Sequence, residues 1–180
     1  MKKFLILIAA VVILGVGWYL ASPLFIDKMV DEAFPALSEE RQSGVEDEPG
    51  LVEAGGEVSK STQNNEPILL VSGSFVDVDV IHKGSGKAQV YELTGGVRTL
   101  RFEDFEVTNG PGLHVVLSAH ANPRTQAEVK DGGYVDLGEL KGNIGNQNYT
   151  LSGDIDLSLY QSVVIYCYPF NVVFSTATLQ

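Results

Sequence analysis

The chain has 180 residues, of which 44% are hydrophobic, a composition typical of a folded domain with accessory segments. Its formal net charge of -11 at pH 7 argues against a nucleic-acid partner, because phosphate binding depends on clustered Lys and Arg. The single cysteine, Cys167, excludes an internal disulfide and a zinc site built from several thiolates.

The N-terminal segment is strongly apolar. Lys2 and Lys3 precede residues 4–26, which carry no charged side chain. As a helix, about 23 residues extend roughly 34 Å, which is enough to cross the hydrocarbon core of a bilayer. A cleaved signal peptide is the alternative, but the apolar run is longer than a usual signal core and Tyr19-Leu20-Ala21 is a poor cleavage site. We therefore predict a retained membrane anchor over residues 1–26.

The flanking charges also predict an orientation. Because Lys2 and Lys3 precede the apolar run, the N-terminus is expected in the cytoplasm and everything after Asp27 outside it, as in a single-pass protein of the cell membrane. Trp18 and Tyr19 fit an interfacial position near the far end. No cysteine follows the apolar run, which excludes lipid attachment of the bacterial lipoprotein kind.

Residues 27–66 are predicted to be an acidic flexible linker. They hold eleven acidic residues against three basic ones, with many Gly, Ser and Asn, which favours an extended and mobile tether. The first part, IDKMVDEAFPALSEE, could instead continue as a juxtamembrane helix as far as Pro35. A solvated spacer is our first interpretation of this segment, and an acidic tail that binds a partner is the second.

Residues 67–180 have the pattern of a β domain. Short β-branched or aromatic runs alternate with Gly, Asn and Asp at intervals of about eight to twelve residues. The predicted strands are ILLVSGSF, VDVDVIH, AQVYEL, VRTLRFEDFEV, LHVVLSAH, GYVDLGEL, NYTLSG, SVVIYCYP and FNVVFSTATL, with KGSGK as a hairpin turn. No comparable segment has a 3.6-residue period, so we predict an all-β fold, an antiparallel sandwich or small barrel of about eight to ten strands.

Cys167 lies in the most strand-like run of the chain, SVVIYCYPFNVVF. Strand alternation divides this run into two faces, Val163, Ile165 and Cys167 on one and Val164, Tyr166 and Tyr168 on the other. Apolar residues on both faces indicate a central, covered strand, in which Cys167 is a small core residue. The alternative is that an unpaired thiol outside the cytoplasm is a redox thiol or a soft ligand to a prosthetic group.

The three histidines are the other candidates. His82, His114 and His120 could join Cys167 in a copper or haem site, but their spacing matches no short metal motif, and we predict no metal site. His82 and His114 fall at or within strands, where a structural role is more usual, and His120 falls in a loop. No GxSxG, HExxH or phosphate-binding glycine loop is present, so no motif indicates a hydrolase or a transferase. Whether the chain is an enzyme stays open.

Three blocks of the β domain carry a family resemblance: LRFEDFEVTNGPGLHVVLS, VDLGELKGNIGNQNYTL and DLSLYQSVVIYCYPFNVVFSTATL. They resemble the DM-thirteen family, also called the electron-transfer DM domain, from Ser72 to Leu179. The resemblance implies a β-sandwich-like extracellular module whose cysteine, here Cys167, acts in a redox reaction, either as a naked thiol or by holding a group such as haem. The chain departs from the family at Tyr166, where tryptophan is frequent, and at Gly112, where an acidic residue is frequent.

The block KGNIGNQN, residues 141–148, is predicted to be a turn between two strands. Gly142 and Gly145 can adopt positive φ, and the Asn and Gln amides can satisfy the backbone groups of the turn. The alternative is that these amides line a pocket for a ligand or for a group near Cys167.

Two functions of different classes compete. The first is a membrane-anchored, extracytoplasmic redox module that meets a redox partner protein, with Cys167 as the reactive or ligating residue and His114 or His82 beside it as cofactor-binding residues. Its thiolate would need a lowered pKa, with help from His114, Arg101 or Lys141 across the sheet. The second is a non-catalytic binding module with Cys167 in the core. A metal-dependent hydrolase is a distant third, because no ligand motif is present.

Overall fold

A computed structural model describes residues 2–21, 26–35 and 66–180 of the chain. Helix α1, Lys2–Ala21, comes first. No helix within these ranges is long and apolar enough to span a bilayer. The predicted transmembrane helix over residues 4–26 is therefore not supported, and α1 ends at Ala21, short of the predicted span. Residues 36–65, which make up most of the predicted linker, lie outside the described residues.

Eight antiparallel strands form one nearly closed, barrel-like sheet in the order β5-β4-β7-β8-β1-β2-β3-β6. Their bounds are β1 Ile68–Asp77, β2 Gly84–Glu92, β3 Arg98–Val107, β4 Leu113–Ser118, β5 Tyr134–Glu139, β6 Gln147–Leu151, β7 Ser162–Cys167 and β8 Val172–Thr178. A short helix, α2, Gln126–Lys130, lies between β4 and β5, and a 3-10 turn, Thr94–Gly96, lies between β2 and β3. The prediction of an all-β antiparallel fold is confirmed.

The main core lies on the inner face of this sheet, where aromatic and β-branched side chains from nearly every strand meet. Strand β7 is buried along its whole length, as expected for a central strand with apolar residues on both faces. The predicted alternation is confirmed, since Val163, Ile165 and Cys167 belong to the main core and Val164 and Tyr166 to a second cluster on the other face. Val129 of α2 covers that second cluster.

The first hairpin turns at a different place from the one predicted. Strand β1 ends at Asp77 and β2 begins at Gly84, so most of VDVDVIH forms the turn and most of KGSGK belongs to β2. The reason is Asp79, whose Oδ1 accepts hydrogen bonds from two backbone N–H groups of the turn, at 2.7 Å each. An Asp side chain that binds the backbone in this way favours a turn over a strand.

Residues 26–35, called the strap from here on, lie extended against the barrel. They were predicted to be mobile linker or juxtamembrane helix, and both predictions are wrong for this segment. Met29 forms a parallel bridge with Ile144, and the N–H groups of Val30 and Glu32 donate to the carbonyls of Ile144 and Asn146, at 2.9 Å each. Alternate side chains of the strap are turned toward the barrel, as in a strand: Val30, Glu32 and Phe34 are half-buried and Met29, Asp31 and Ala33 are exposed.

Candidate functional site

Cys167 is the last residue of β7 and is buried against the main core, with 0% of its surface exposed. Its backbone pairs with Leu113 of β4 and Val172 of β8. The thiol donates to the carbonyl oxygen of Pro111, at an Sγ to O distance of 3.1 Å. Pro111 is half-buried and the following Gly112 is exposed, so the loop that accepts this hydrogen bond reaches the surface.

The environment of Cys167 holds the thiol in its protonated form. Burial raises the pKa of Cys167, and a hydrogen bond with the backbone of Phe170 offsets this only in part. The thiolate is the nucleophilic species, so the thiol is unreactive while the loop is closed. A reaction at Sγ requires the cover to move.

The cover is the loop of residues 108–112, together with Pro169 from the β7–β8 turn. Gly112 has φ +55°, and a Cβ at this position would lie 3.0 Å from Cδ of Pro169. A larger residue would therefore be strained here in both backbone and packing.

An open cavity of about 520 Å³ lies between this loop and the strap. The strap contributes Asp27 and Lys28 to its wall, and the loop contributes Asn109, Gly110 and Gly112. Cys167 does not line the cavity, but its pairing partner Leu113 does. Movement of the loop would therefore open the thiol toward this cavity.

The structure does not bring the predicted histidines to Cys167. His114 pairs with Tyr166, so its side chain lies on the face opposite Cys167, where its Nδ1 is 3.1 Å from Asp136 and its ring packs on Tyr168. Burial together with Asp136 raises the pKa of Tyr168.

The other two histidines make contacts of their own. The ring of His82 packs on Phe174 at 4.5 Å, and its Nδ1 is 2.8 Å from Asp79, a hydrogen bond that lowers the pKa of Asp79 to about 2. His120 lies in its loop and accepts a hydrogen bond from the N–H of Asn122. The described residues contain no cluster of three or more His, Cys, Asp or Glu that could hold a metal ion.

A haem does not fit at Cys167 in this structure. The thiol is fully enclosed and hydrogen bonded to Pro111, which leaves no open side of Sγ for an iron atom. His114, the nearest histidine along the paired strand, points to the other face of the sheet. The residues present therefore favour the naked-thiol alternative.

A second site, not predicted as such, lies where the strap docks. Lys141 donates from Nζ to both carboxylate oxygens of Glu32, at 2.8 and 3.0 Å, and the N–H of Asn148 donates to Oε2 at 2.7 Å. Burial raises the pKa of Glu32, but the hydrogen bonds from Lys141 and Asn148, with the charges of Lys141 and Arg101, lower it overall.

Arg101 of β3 lies at the centre of this site and is only 6% exposed. It donates to the backbone carbonyl of Glu32 and to Oδ1 of Asn148, at 2.9 Å each, and its guanidinium stacks on the ring of Phe34 at 5.6 Å. Phe34 in turn packs edge-on against Tyr91, with ring centroids 5.0 Å apart. A buried guanidinium needs such partners, and the strap supplies several of them.

The amides of residues 141–148 satisfy the turn, as predicted, and also bind the strap, a role that was not predicted. Gln147 is fully buried and satisfies the turn itself, since its Nε2 donates to the carbonyl of Gly142 and its Oε1 accepts from the hydroxyl of Tyr149. Asn143, Asn146 and Asn148 instead bind the strap, through hydrogen bonds to Lys28 and Asp27, to Asp31, and to Ala33.

The two glycines of this block bring the strap into close contact. A Cβ at Gly142 would meet the carbonyl of Lys28, and one at Gly145 would meet the carbonyl of Val30. Gly145 also has φ +102°, which favours glycine. The surface formed by Tyr91, Arg101 and residues 141–148 is called the groove from here on.

A family model matches most of the barrel. The model described as Electron transfer DM13 matches residues 74–179, which is more than half of the chain. The chain belongs to this family. The DM13 match includes Cys167 and the whole groove but not the strap. No curated protein and no solved structure matches the chain.

Sequence reasoning found Cys167 but missed the groove, although it had singled out Arg101 and Lys141 as possible partners of the thiol. The structure engages both of these residues with the strap instead. No clear signal for the strap was present in the sequence, because neither face of this segment is uniformly apolar: Val30, Glu32 and Phe34 share one face, and Met29, Asp31 and Ala33 the other.

Proposed function

We propose that the chain is an extracytoplasmic redox module whose working group is the naked thiol of Cys167. Membership of the DM13 electron-transfer family supports a redox-related role. The observation that carries the assignment to Cys167 is its position directly beneath the 108–112 loop, hydrogen bonded to Pro111, at the end of a strand rather than deep in the barrel.

The proposed reaction is thiol–disulfide exchange with a disulfide of a partner protein. The loop moves away, Cys167 loses its proton to solvent, and Sγ attacks one sulfur of the disulfide. A new bond forms between Cys167 and that sulfur, the original S–S bond breaks, and the other sulfur leaves as a thiolate that takes up a proton. The partner disulfide is reduced and Cys167 is oxidised to the mixed disulfide.

A second candidate function is a non-catalytic binding module in which Cys167 is a core residue. Its support is specific: the thiol is completely buried, packs with Val163 and Ile165, and has a raised pKa. A structural cysteine is expected to have these properties.

Alkylation of the full chain separates the two functions. Labelling of Cys167 is followed by mass spectrometry under native conditions and compared with the rate of global unfolding of the same protein. The redox function requires labelling much faster than unfolding, together with a mixed disulfide when oxidised glutathione is added. Labelling no faster than unfolding, with a loss of stability in Cys167→Ala as expected for a core residue, would leave only the binding module.

Membrane attachment and an extracytoplasmic location are part of this proposal. Their support is the uncharged run of residues 4–26 after Lys2 and Lys3. Protease treatment of intact cells, followed by detection of the barrel in the membrane fraction, tests both. A chain that is protected in intact cells and recovered without membranes would refute this part of the proposal.

A further inference from the structure

The strap binds the groove in the way that an extended peptide binds a receptor. The strap is recognised through its backbone, since three of its hydrogen bonds join main-chain groups of Lys28, Val30 and Glu32 to residues 144 and 146. Addition of an extended segment to an exposed backbone edge is a common mode of peptide recognition, in which main-chain bonds give affinity and side-chain pockets give specificity.

Charge complementarity sets the specificity of the groove. The strap presents Asp27, Asp31 and Glu32, and each carboxylate has a partner in the barrel. Lys141 and Arg101 supply two cations to the groove of a chain whose net charge is -11. Nε of Arg101 donates to Oε1 of Glu103 at 3.1 Å, so Arg101 already has a carboxylate partner in the barrel. The ammonium group of Lys141, which pairs with Glu32, is therefore the group that favours a carboxylate in the ligand.

The groove is formed entirely by residues of the barrel, and the strap contributes none of them. All its residues fall within the family match of 74–179, while the strap lies at residues 26–35, more than thirty residues before the match begins. None of the strap's apolar residues is fully buried: Val30, Phe34 and Pro35 are half-buried, and Ile26, Met29 and Ala33 are exposed. Docking of this kind is held mostly by polar contacts, which favours an exchangeable ligand over a fixed part of the core.

We propose that the groove is a recognition site for an extended acidic peptide, that residues 27–34 are its resident ligand held in cis, and that the same sequence in trans replaces them. The pattern read by the groove is a carboxylate at the position of Glu32 between the half-buried apolar side chains of Val30 and Phe34. This proposal does not depend on the redox function, because its readout is peptide binding.

The test is binding of a fluorescent peptide of residues 26–35 to the full chain. In the wild type the tethered strap competes at an effective concentration in the millimolar range, so the free peptide binds weakly. Glu32→Lys in the full chain replaces the strap's carboxylate with an ammonium group beside Lys141 and Arg101. Repulsion between the like charges weakens docking of the strap in cis. We expect the wild-type peptide to bind this variant at least about tenfold more tightly than it binds the wild-type chain.

Two glycine variants show whether the peptide occupies the groove. Gly142→Ala, added to Glu32→Lys, places a Cβ against the carbonyl of Lys28 and is expected to abolish binding. Gly153→Ala is the matched control, because a Cβ there meets nothing within 4 Å. A folded Glu32→Lys chain that binds no peptide, or that binds equally with either glycine variant, would overturn the proposal.

A second measurement covers the case in which Glu32→Lys does not fold. A protease site is inserted within residues 36–65 of the wild-type chain and cut. The proposal predicts that the cut strap stays bound and exchanges with labelled peptide while the barrel remains folded. Unfolding of the barrel on cleavage, or no exchange with the peptide, would show that the strap is a fixed structural part and not a ligand.

Discussion

Thr176 is a residue whose hydroxyl the fold does not use. Its side chain is fully buried in β8, and Oγ1 has no hydrogen-bond partner among the described residues. A buried hydroxyl without a partner costs free energy, whereas an apolar group of the same shape does not. We expect Thr176→Val to raise the free energy of unfolding by about 1 kcal/mol.

The neighbouring threonine on the same strand provides the control. Thr178 donates to the carbonyl of Ala121 at 2.6 Å, so Thr178→Val is expected to lower the free energy of unfolding by about 1 kcal/mol. Urea denaturation of both variants measures the contrast. Two variants that are destabilised alike would indicate that Thr176 has a partner after all.

Cys167 combines two properties that usually exclude each other. Complete burial keeps the thiol protonated and inert, whereas the family to which the chain belongs is one of electron transfer. Under the proposed function the two are compatible if the 108–112 loop, whose Pro111 carbonyl accepts the thiol, opens over Sγ. Reactivity at this residue would then be set by the free energy of opening the loop.

At the scale of elements, docking of the strap contributes a stability that depends on pH. Burial raises the pKa of Glu32, but Lys141 and Asn148 donate hydrogen bonds to its carboxylate, so the folded state holds this pKa below its ordinary value. A lowered pKa stabilises the folded state fully above that value, and the contribution is lost as the pH falls through the folded-state pKa. Protonated Glu32 keeps its shape but loses its ionic attraction to Lys141 and Arg101.

We therefore expect the stability difference between wild type and Glu32→Gln to shrink as the pH is lowered from 6 to 3. Thermal unfolding of the two chains at a series of pH values measures this difference. Glu106→Gln, which changes an exposed glutamate outside the strap, is the matched control. A difference that stays constant across this range would mean that the ion pair with Lys141 contributes nothing.

The elements also show what could be derived from the sequence. The strands followed from their alternation and turn residues, and the face of β7 that carries Cys167 followed from a period of two alone. The first turn was misplaced because the alternation of VDVDVIH continues through Asp79, whose local hydrogen bonds prevail over the pattern.

The groove could not be derived in the same way. Arg101, Lys141 and Asn148 are far apart in sequence from Glu32, and nothing in their spacing indicates that they meet it. The strap itself was assigned to the linker because its acidic composition matches that of the segment that follows. Contacts between distant segments depend on the closure of the whole barrel, which local patterns do not encode.

At the scale of the whole molecule, one carboxylate joins the strap to the loop that covers Cys167. Oδ1 of Asp27 accepts hydrogen bonds from the side-chain amides of Asn109 and Asn143, at 2.9 Å each. Asn109 lies two residues before Pro111, whose carbonyl accepts the thiol. Docking of the strap therefore restrains the loop, and the two sites of the molecule are physically connected.

Removal of this carboxylate is expected to expose the thiol. If Asp27→Ala lowers the free energy of loop opening by about 1 kcal/mol, the open fraction and the alkylation rate of Cys167 rise about fivefold. Asp131→Ala, which removes an exposed carboxylate beside α2, is the control and should leave the rate unchanged. The labelling rates are compared in full chains of equal global stability, so that the increase reports on the loop alone. Equal rates in the two variants would show that the loop closes over Cys167 without the strap, and that peptide exchange at the groove leaves the thiol unaffected.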